Sequence, residues 1–153
     1  MTIKSEQGEL AFFRARCKEN EMRVTHQKAM IYKAMIQSRD HPSPEKIFNR
    51  LKGAVHGLSL DTVYRTLSAF HEMGLVDMVD GYGSARRYDP LLKKHHHFRC
   101  RKCDTIIDFA SDYYDKIAVP ADIAKQCKVT KLQVTIEGLC KKCLKKRKRS
   151  NSQ

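Results

Sequence analysis

Two C-x-x-C pairs, Cys100/Cys103 and Cys140/Cys143, constrain this chain more than any other feature. One such pair brings two thiolates onto a single ion from a tight turn, and two pairs complete the tetrahedron that Zn²⁺ accepts from sulfur. No signal-peptide pattern precedes them and no apolar run reaches membrane-spanning length, so the chain is expected to be cytoplasmic, with no membrane partner. In a reducing compartment six cysteines do not make a disulfide framework. A redox C-x-x-C and an iron–sulfur cluster are the alternatives, yet neither requires two pairs that bracket a strand–helix–strand excursion. Structural zinc on Cys100, Cys103, Cys140 and Cys143 is therefore expected, joining the start of a small domain to its end. Cys17 and Cys127 lack such geometry and read as small buried hydrophobes.

The 153 residues allow at most two small domains. In residues 5–39 apolar positions such as Leu10, Phe13, Ile31, Tyr32 and Met35 recur at helical spacing, which predicts two helices, the second capped by Thr25. His41-Pro42-Ser43-Pro44 breaks the chain before a third helix, with Ser43 as cap and Pro44 in its first turn, running to Leu51. A fourth helix follows Ser59, with Leu60, Val63, Leu67 and Phe70 as one stripe and Gly74 as its stop. Segments 75–79 and 85–88, joined by Gly81-Tyr82-Gly83-Ser84, predict a β-hairpin. The fold class is mainly α with α+β: a winged helix-turn-helix over 1–90, then a small α+β domain over 91–143. In the latter, strands are expected near 97–99 and 105–109, a helix over 113–125 and a strand over 128–136. Residues 144–153 form a basic tail expected to be disordered.

Thirty Lys and Arg against 17 Asp and Glu give a formal charge of +13, which favours a polyanionic partner, nucleic acid first. Seven of those cations lie between Lys141 and Arg149, and the rest of the chain stays basic.

His95-His96-His97 immediately precedes Cys100 in a segment that should be extended, placing His95 and His97 on one side and His96 on the other. Asp89, Asp108 and His41 are the further candidate ligands, and an ion shared by all five would span both domains. A solvated histidine run is the competing reading. Imidazole and carboxylate without thiolate suit Mn²⁺, Fe²⁺ or Zn²⁺, chemically distinct from a sulfur cage.

In combination R-V-T-H-Q-K at Arg23 to Lys28, H-P-S-P-E-K-I-F from His41, D-T-V-Y-R-T-L from Asp61, R-R-Y-D ending at Asp89, H-H-H-F-R-C-R-K-C from His95 and G-L-C-K-K-C from Gly138 resemble the ferric uptake regulator family. The resemblance implies a homodimer of winged-helix domains joined through C-terminal dimerisation domains, bound to a palindromic double-stranded DNA operator when a regulatory metal is loaded. It assigns His41, Asp89, His95, His97 and Asp108 to the regulatory Fe²⁺ or Mn²⁺, and it places Tyr64 and Arg65 in the recognition helix. Peroxide-responsive members tend to use aspartate at both carboxylate positions, as here. Iron sensors typically add a further site, whose ligands would match Lys94, His96, Asp115 and Lys131; two lysines argue against it. The reading is thus a peroxide-sensing repressor, with an iron-responsive repressor of iron acquisition genes as the alternative. A redox enzyme using a C-x-x-C is disfavoured, since four thiolates on one ion leave neither a reactive nucleophile nor an open position.

Overall fold

The computed structural model describes residues 6–38, 40–79, 86–90 and 92–150, and the chain divides into two compact units, Met1–Leu92 and Lys93–Gln153. An α+β architecture results, as expected.

The first unit contains α1 (Glu6–Glu19), α2 (His26–Ile36), α3 (Pro44–Leu51) and α4 (Leu60–Glu72), followed by strands β1 (Asp77–Val79) and β2 (Arg87–Asp89). The starts of the last three helices follow from their sequence. Thr25, Ser43 and Ser59 each hold an extended backbone and accept a hydrogen bond from the amide three residues on, satisfying a donor the helix cannot. Gly74 ends α4 at φ +67°, where an L side chain is strained. Its amide donates to His71 and that of Leu75 to Phe70. Arg16 of α1 reaches the same end, its Nε donating to the Met73 carbonyl at 2.9 Å.

These helices bury one apolar cluster centred on three rings. Phe13 stacks on Tyr32 at 4.7 Å, and Phe70 meets both edge-on at 5.6 and 6.0 Å. Ile31, Met35, Ile47, Val63 and Leu67 fill the space around them, and Cys17 is fully buried there. β1 and β2 pair antiparallel with Met78 opposite Tyr88. They begin later than the alternation suggested, because Leu75 and Val76 turn into the core instead of pairing. The anticipated turn at Gly81–Ser84 lies outside the described residues.

The second unit contains β3 (His96–Cys100), β4 (Ile106–Phe109), α5 (Asp112–Asp115), α6 (Ala121–Gln126), β5 (Thr135–Gly138) and α7 (Lys141–Ser150). β3 is central, antiparallel to β4 and parallel to β5. A parallel neighbour requires a crossover, which the α5–α6 segment supplies.

Several expectations are corrected here. The single helix over 113–125 is broken into α5 and α6, because Pro120 lacks the amide a continuous helix needs and disfavours helical backbone at Val119. The strand over 128–136 shrinks to Thr135–Gly138. β3 offers only five residues to pair with, and Val129 stands 43% exposed despite the apolar alternation. Cys127 is exposed, not buried, since it caps a short helix that buries none of its residues. Where disorder was expected from residue 144, α7 continues to Ser150. Lys and Arg are good helix formers once the preceding turn through Cys140 and Cys143 is set.

Gly74→Ala is expected to lower stability by about 1–2 kcal/mol, because a β carbon there also meets Arg16 Nη2 at 3.2 Å. Gly53, with nothing within 4 Å of such an atom, supplies the control. Urea unfolding of the two variants should separate them, Gly53→Ala remaining at or above wild type.

Candidate metal centres and nucleic-acid surface

Cys100 ends β3, Cys103 follows in the next turn, and Cys140 and Cys143 enter α7 from β5. Parallel pairing sets Cys100 opposite Gly138, which draws the two C-x-x-C turns together. All four Sγ atoms lie within 4.8 Å of one another, with Cys103 and Cys140 at 3.6 Å. Every one is a free thiol, and Cys100, Cys140 and Cys143 are buried. The Cys140 amide donates to Cys100 Sγ at 3.3 Å. That bond is the largest of the influences that pull the Cys100 thiol down to about 6, against burial. Burial, followed by the neighbouring thiols, pushes Cys143 the other way. A cage mixing ready thiolate with protonated thiol suits a divalent cation, which would neutralise the clustered charge and displace the remaining protons.

Gly138 makes this packing possible. A β carbon at that position would meet the Phe98 ring at 3.3 Å, and Phe98 and Leu139 are the side chains packed on the buried cysteines.

Three nitrogen and oxygen groups gather elsewhere in the same unit. His95 and His97 face one side of the extended segment, their Nε2 atoms 2.9 Å apart. Asp108, paired with His97 across β3–β4, places Oδ1 at 3.4 Å from His97 Nε2 and 3.9 Å from His95 Nε2. Both imidazoles are buried. His95 Nδ1 lies 2.7 Å from the Lys93 carbonyl, an acceptor that fixes the proton on Nδ1 and leaves Nε2 as a lone pair. His97 Nδ1 lies 3.1 Å from the Gln133 amide nitrogen. Turning that amide would offer its oxygen to an Nδ1 proton and free the second Nε2 in the same way. Nothing in the local sequence marks Gln133, which reaches His97 only because of how residues 133–134 run beside β3.

The first unit holds a matching pair. His41 Nε2 stands 3.4 Å from Asp89 Oδ2, and both side chains are almost wholly buried. His41 sits at φ +46°, a conformation a non-glycine residue keeps only when its surroundings impose it. Those surroundings are visible. Arg87 of β2 donates from Nε to the His41 carbonyl and from Nη2 to the Asp40 carbonyl at 2.9 Å, and the Tyr88 amide donates to Pro42 at 3.1 Å.

His96 projects to the opposite face of β3. It is fully buried between the Phe109 and Tyr114 rings, with Asp115 Oδ1 3.3 Å from its Nε2. The Lys94 ammonium lies 3.2 Å from the same carboxylate oxygen and donates to the Asp115 carbonyl at 2.8 Å. An ammonium thus supplies the positive charge at this carboxylate.

On α4, Val63, Thr66, Leu67 and Phe70 face the core. Tyr64 is half-buried and Arg65 exposed, 3.9 Å from Asp61. The Tyr64 hydroxyl donates to Glu45 Oε1 on α3, a contact across 19 residues that periodicity does not reveal. Among the described residues no helix is long and apolar enough to cross a membrane.

Removing the cation from the four-thiol cage should cost the second unit its fold, since such sites contribute about 10–16 kcal/mol in small zinc domains. In Cys103→Ala, expected bound zinc falls from one ion per chain to none. Amide exchange protection should then vanish in β3 and β5 while persisting in α2 and α4. Protection retained in β3 without metal would show that the cage does not hold the unit together.

Residues 19–137 match the Ferric uptake regulator family. The chain is 32% identical over 129 residues to the peroxide operon regulator of Bacillus subtilis, covering 84% of this chain and 89% of that one. It is 31% identical to the peroxide-responsive repressor PerR of Staphylococcus saprophyticus, over 82% and 85%. Its fold matches that of the Helicobacter pylori ferric uptake regulator, with a TM-score of 0.76 at 24% identity over 93% and 95% of the two chains. The thiol cage, the imidazole–carboxylate sets and the family match lead to one conclusion: this chain belongs to the ferric uptake regulator family of metal-dependent transcription regulators and is related to its peroxide-responsive repressors.

Proposed function

We propose that the chain is a DNA-binding repressor that senses peroxide through a regulatory Fe²⁺ or Mn²⁺ ion, braced by structural Zn²⁺ on Cys100, Cys103, Cys140 and Cys143. The observation that carries this reading is the buried pair of His95 and His97, whose Nε2 atoms meet at 2.9 Å beside Asp108. Such a set suits a borderline cation with nitrogen and oxygen preference, separate from the sulfur cage. Its relatives' names, peroxide operon regulator and peroxide-responsive repressor, point the same way.

His41 and Asp89 complete the regulatory ligands in this reading, so that one ion draws on residues of both units. An ion bound by both can favour the operator-competent form only through tighter affinity for it, and bridging ligands supply that difference. His95 is held as a ligand by the Lys93 carbonyl, which keeps its proton on Nδ1. Fe²⁺ held by this set would supply reactivity toward peroxide, one peroxide oxygen passing to the ring of His41 or His95 and the other leaving as water. The protein is then consumed in sensing, not turned over as a catalyst.

The 1–90 segment acts as the winged helix-turn-helix, presenting α4 with Tyr64 and Arg65 to the major groove. The 91–143 segment serves dimerisation and metal binding, and 144–153 is a basic tail. Exposed Ile107, Ile117, Ile123 and Ile136 in the second unit support a second copy as their cover. A two-fold dimer reads a palindromic operator.

Metal-loaded protein should bind its operator, and His95→Ala should lose that metal dependence while keeping its zinc. Peroxide should release the Fe²⁺ form from DNA and add 16 Da to a peptide containing His41 or His95, with the Mn²⁺ form unaffected. The added mass is about that of one oxygen atom transferred to a ligand side chain. An Fe²⁺ form that stays bound and unmodified would instead establish the iron-responsive repressor.

A further inference from the structure

Glu45 and Tyr64 form a pair that the metal chemistry does not use. Glu45 lies in the first turn of α3, Tyr64 in the second turn of α4, and the tyrosine hydroxyl donates to Glu45 Oε1. Donation runs in that direction because Glu45 is held ionised. The bond from Tyr64 and a second from Ser43 lower its pKa, and a carboxylate has no proton to give. The hydroxyl proton is in turn held more tightly than usual, through the Glu45 bond first and burial second, with Arg86 acting against both.

A phenol has one donor and lone pairs on the same oxygen. With the donor committed to Glu45, only acceptor capacity remains for anything outside the protein. Phosphate oxygens are acceptors too, and the Glu45 charge behind the hydroxyl repels them further. In the major groove the partners offering a proton are the exocyclic amino groups of adenine and cytosine. Arg65, the next residue, is 82% exposed at its side chain and carries five donors, the complementary capacity for phosphate or guanine.

We propose that Glu45 is a specificity-positioning residue: it fixes the Tyr64 hydroxyl as a pure acceptor, so that Tyr64 reads an amino group of adenine or cytosine in the operator and does not clamp the phosphate backbone. This rests on the DNA-binding reading of α4.

The test uses the full metal-loaded chain. Its preferred duplex is selected from a randomised pool, and selection is repeated with Tyr64→Phe and Glu45→Gln, each checked by thermal melting. Tyr64→Phe should lose an adenine or cytosine preference at one position per half-site. Replacing that base by purine or 2-pyrimidinone, which lack the amino group, should weaken wild type by about 3- to 10-fold, the worth of one net hydrogen bond, and leave Tyr64→Phe unchanged. In Glu45→Gln the side-chain amide can donate to the phenol, which frees the hydroxyl proton; the same position should then also accept guanine or thymine.

Unchanged base preference in Tyr64→Phe, or binding weakened equally on every duplex, the signature of a lost phosphate contact, overturns the inference. Failure of wild type to bind any duplex in the presence of metal would sink the DNA-binding reading and this inference with it. Sequence-selective binding that ignores Tyr64→Phe sinks the inference alone.

Discussion

The second unit is organised around four thiols because it has little else to bury. Among the described residues its buried apolar cluster consists of Cys100, Cys140 and Cys143, with Phe98 and Leu139 packed against them. Ile107, Tyr113, Ile117, Ile123, Val129 and Ile136 remain exposed. A segment this short gains too little from apolar burial to offset the entropy of ordering its chain. A cation holding both ends of the strand–crossover–strand path removes that deficit, since binding and folding become one event. The first unit makes the contrast plain: three packed aromatic rings and a continuous aliphatic shell need no such brace.

The geometry of the imidazoles follows from that anchorage. Cys100 is the last residue of β3, and His96 and His97 are its first two. Fixing Cys100 while pairing the strand on both sides sets the register of everything upstream, so that His97 meets Asp108 on β4 and Thr135 on β5. Alternation along an extended chain then sends His95 and His97 to one face and His96 to the other. On its own face His96 finds two aromatic rings and Asp115, with Lys94 supplying the balancing charge. One strand thus carries two unlike polar clusters.

What could be read from the sequence was whatever rests on local rules. Caps at Thr25 and Ser43, the helix start after Ser59, the stop at Gly74 and the C-x-x-C spacing depend on a few neighbouring residues, and each appears where it was expected. What depends on distant partners was not legible. The apolar alternation of residues 128–136 promised a long strand, but a strand extends only as far as its neighbour, and β3 is five residues long. Gln133 beside His97 and Glu45 beneath Tyr64 have no local signature, since each contact joins segments far apart along the chain. Arg87 is similar: the R-R-Y-D motif drew attention to Asp89, whereas the structure shows the preceding arginine bonding the carbonyls that hold His41 in place.

That last contact bears on how His41, the proposed metal ligand, meets the proposed DNA-binding surface within the first unit. Residues 40 and 41 form a joint between α3 and β2. The Asp40 carboxylate takes Lys46 and Arg50 of α3, the Asp40 and His41 carbonyls take Arg87 of β2, and His41 itself sits in a backbone conformation that only such restraint maintains. α3 in turn carries Glu45, and Glu45 holds Tyr64. Close-packed, fully bonded segments do not stretch; they move together or stay put. A pull on the His41 imidazole is therefore shared by α3 and the β1–β2 ribbon at once, and through Glu45 by the half-buried Tyr64 on α4.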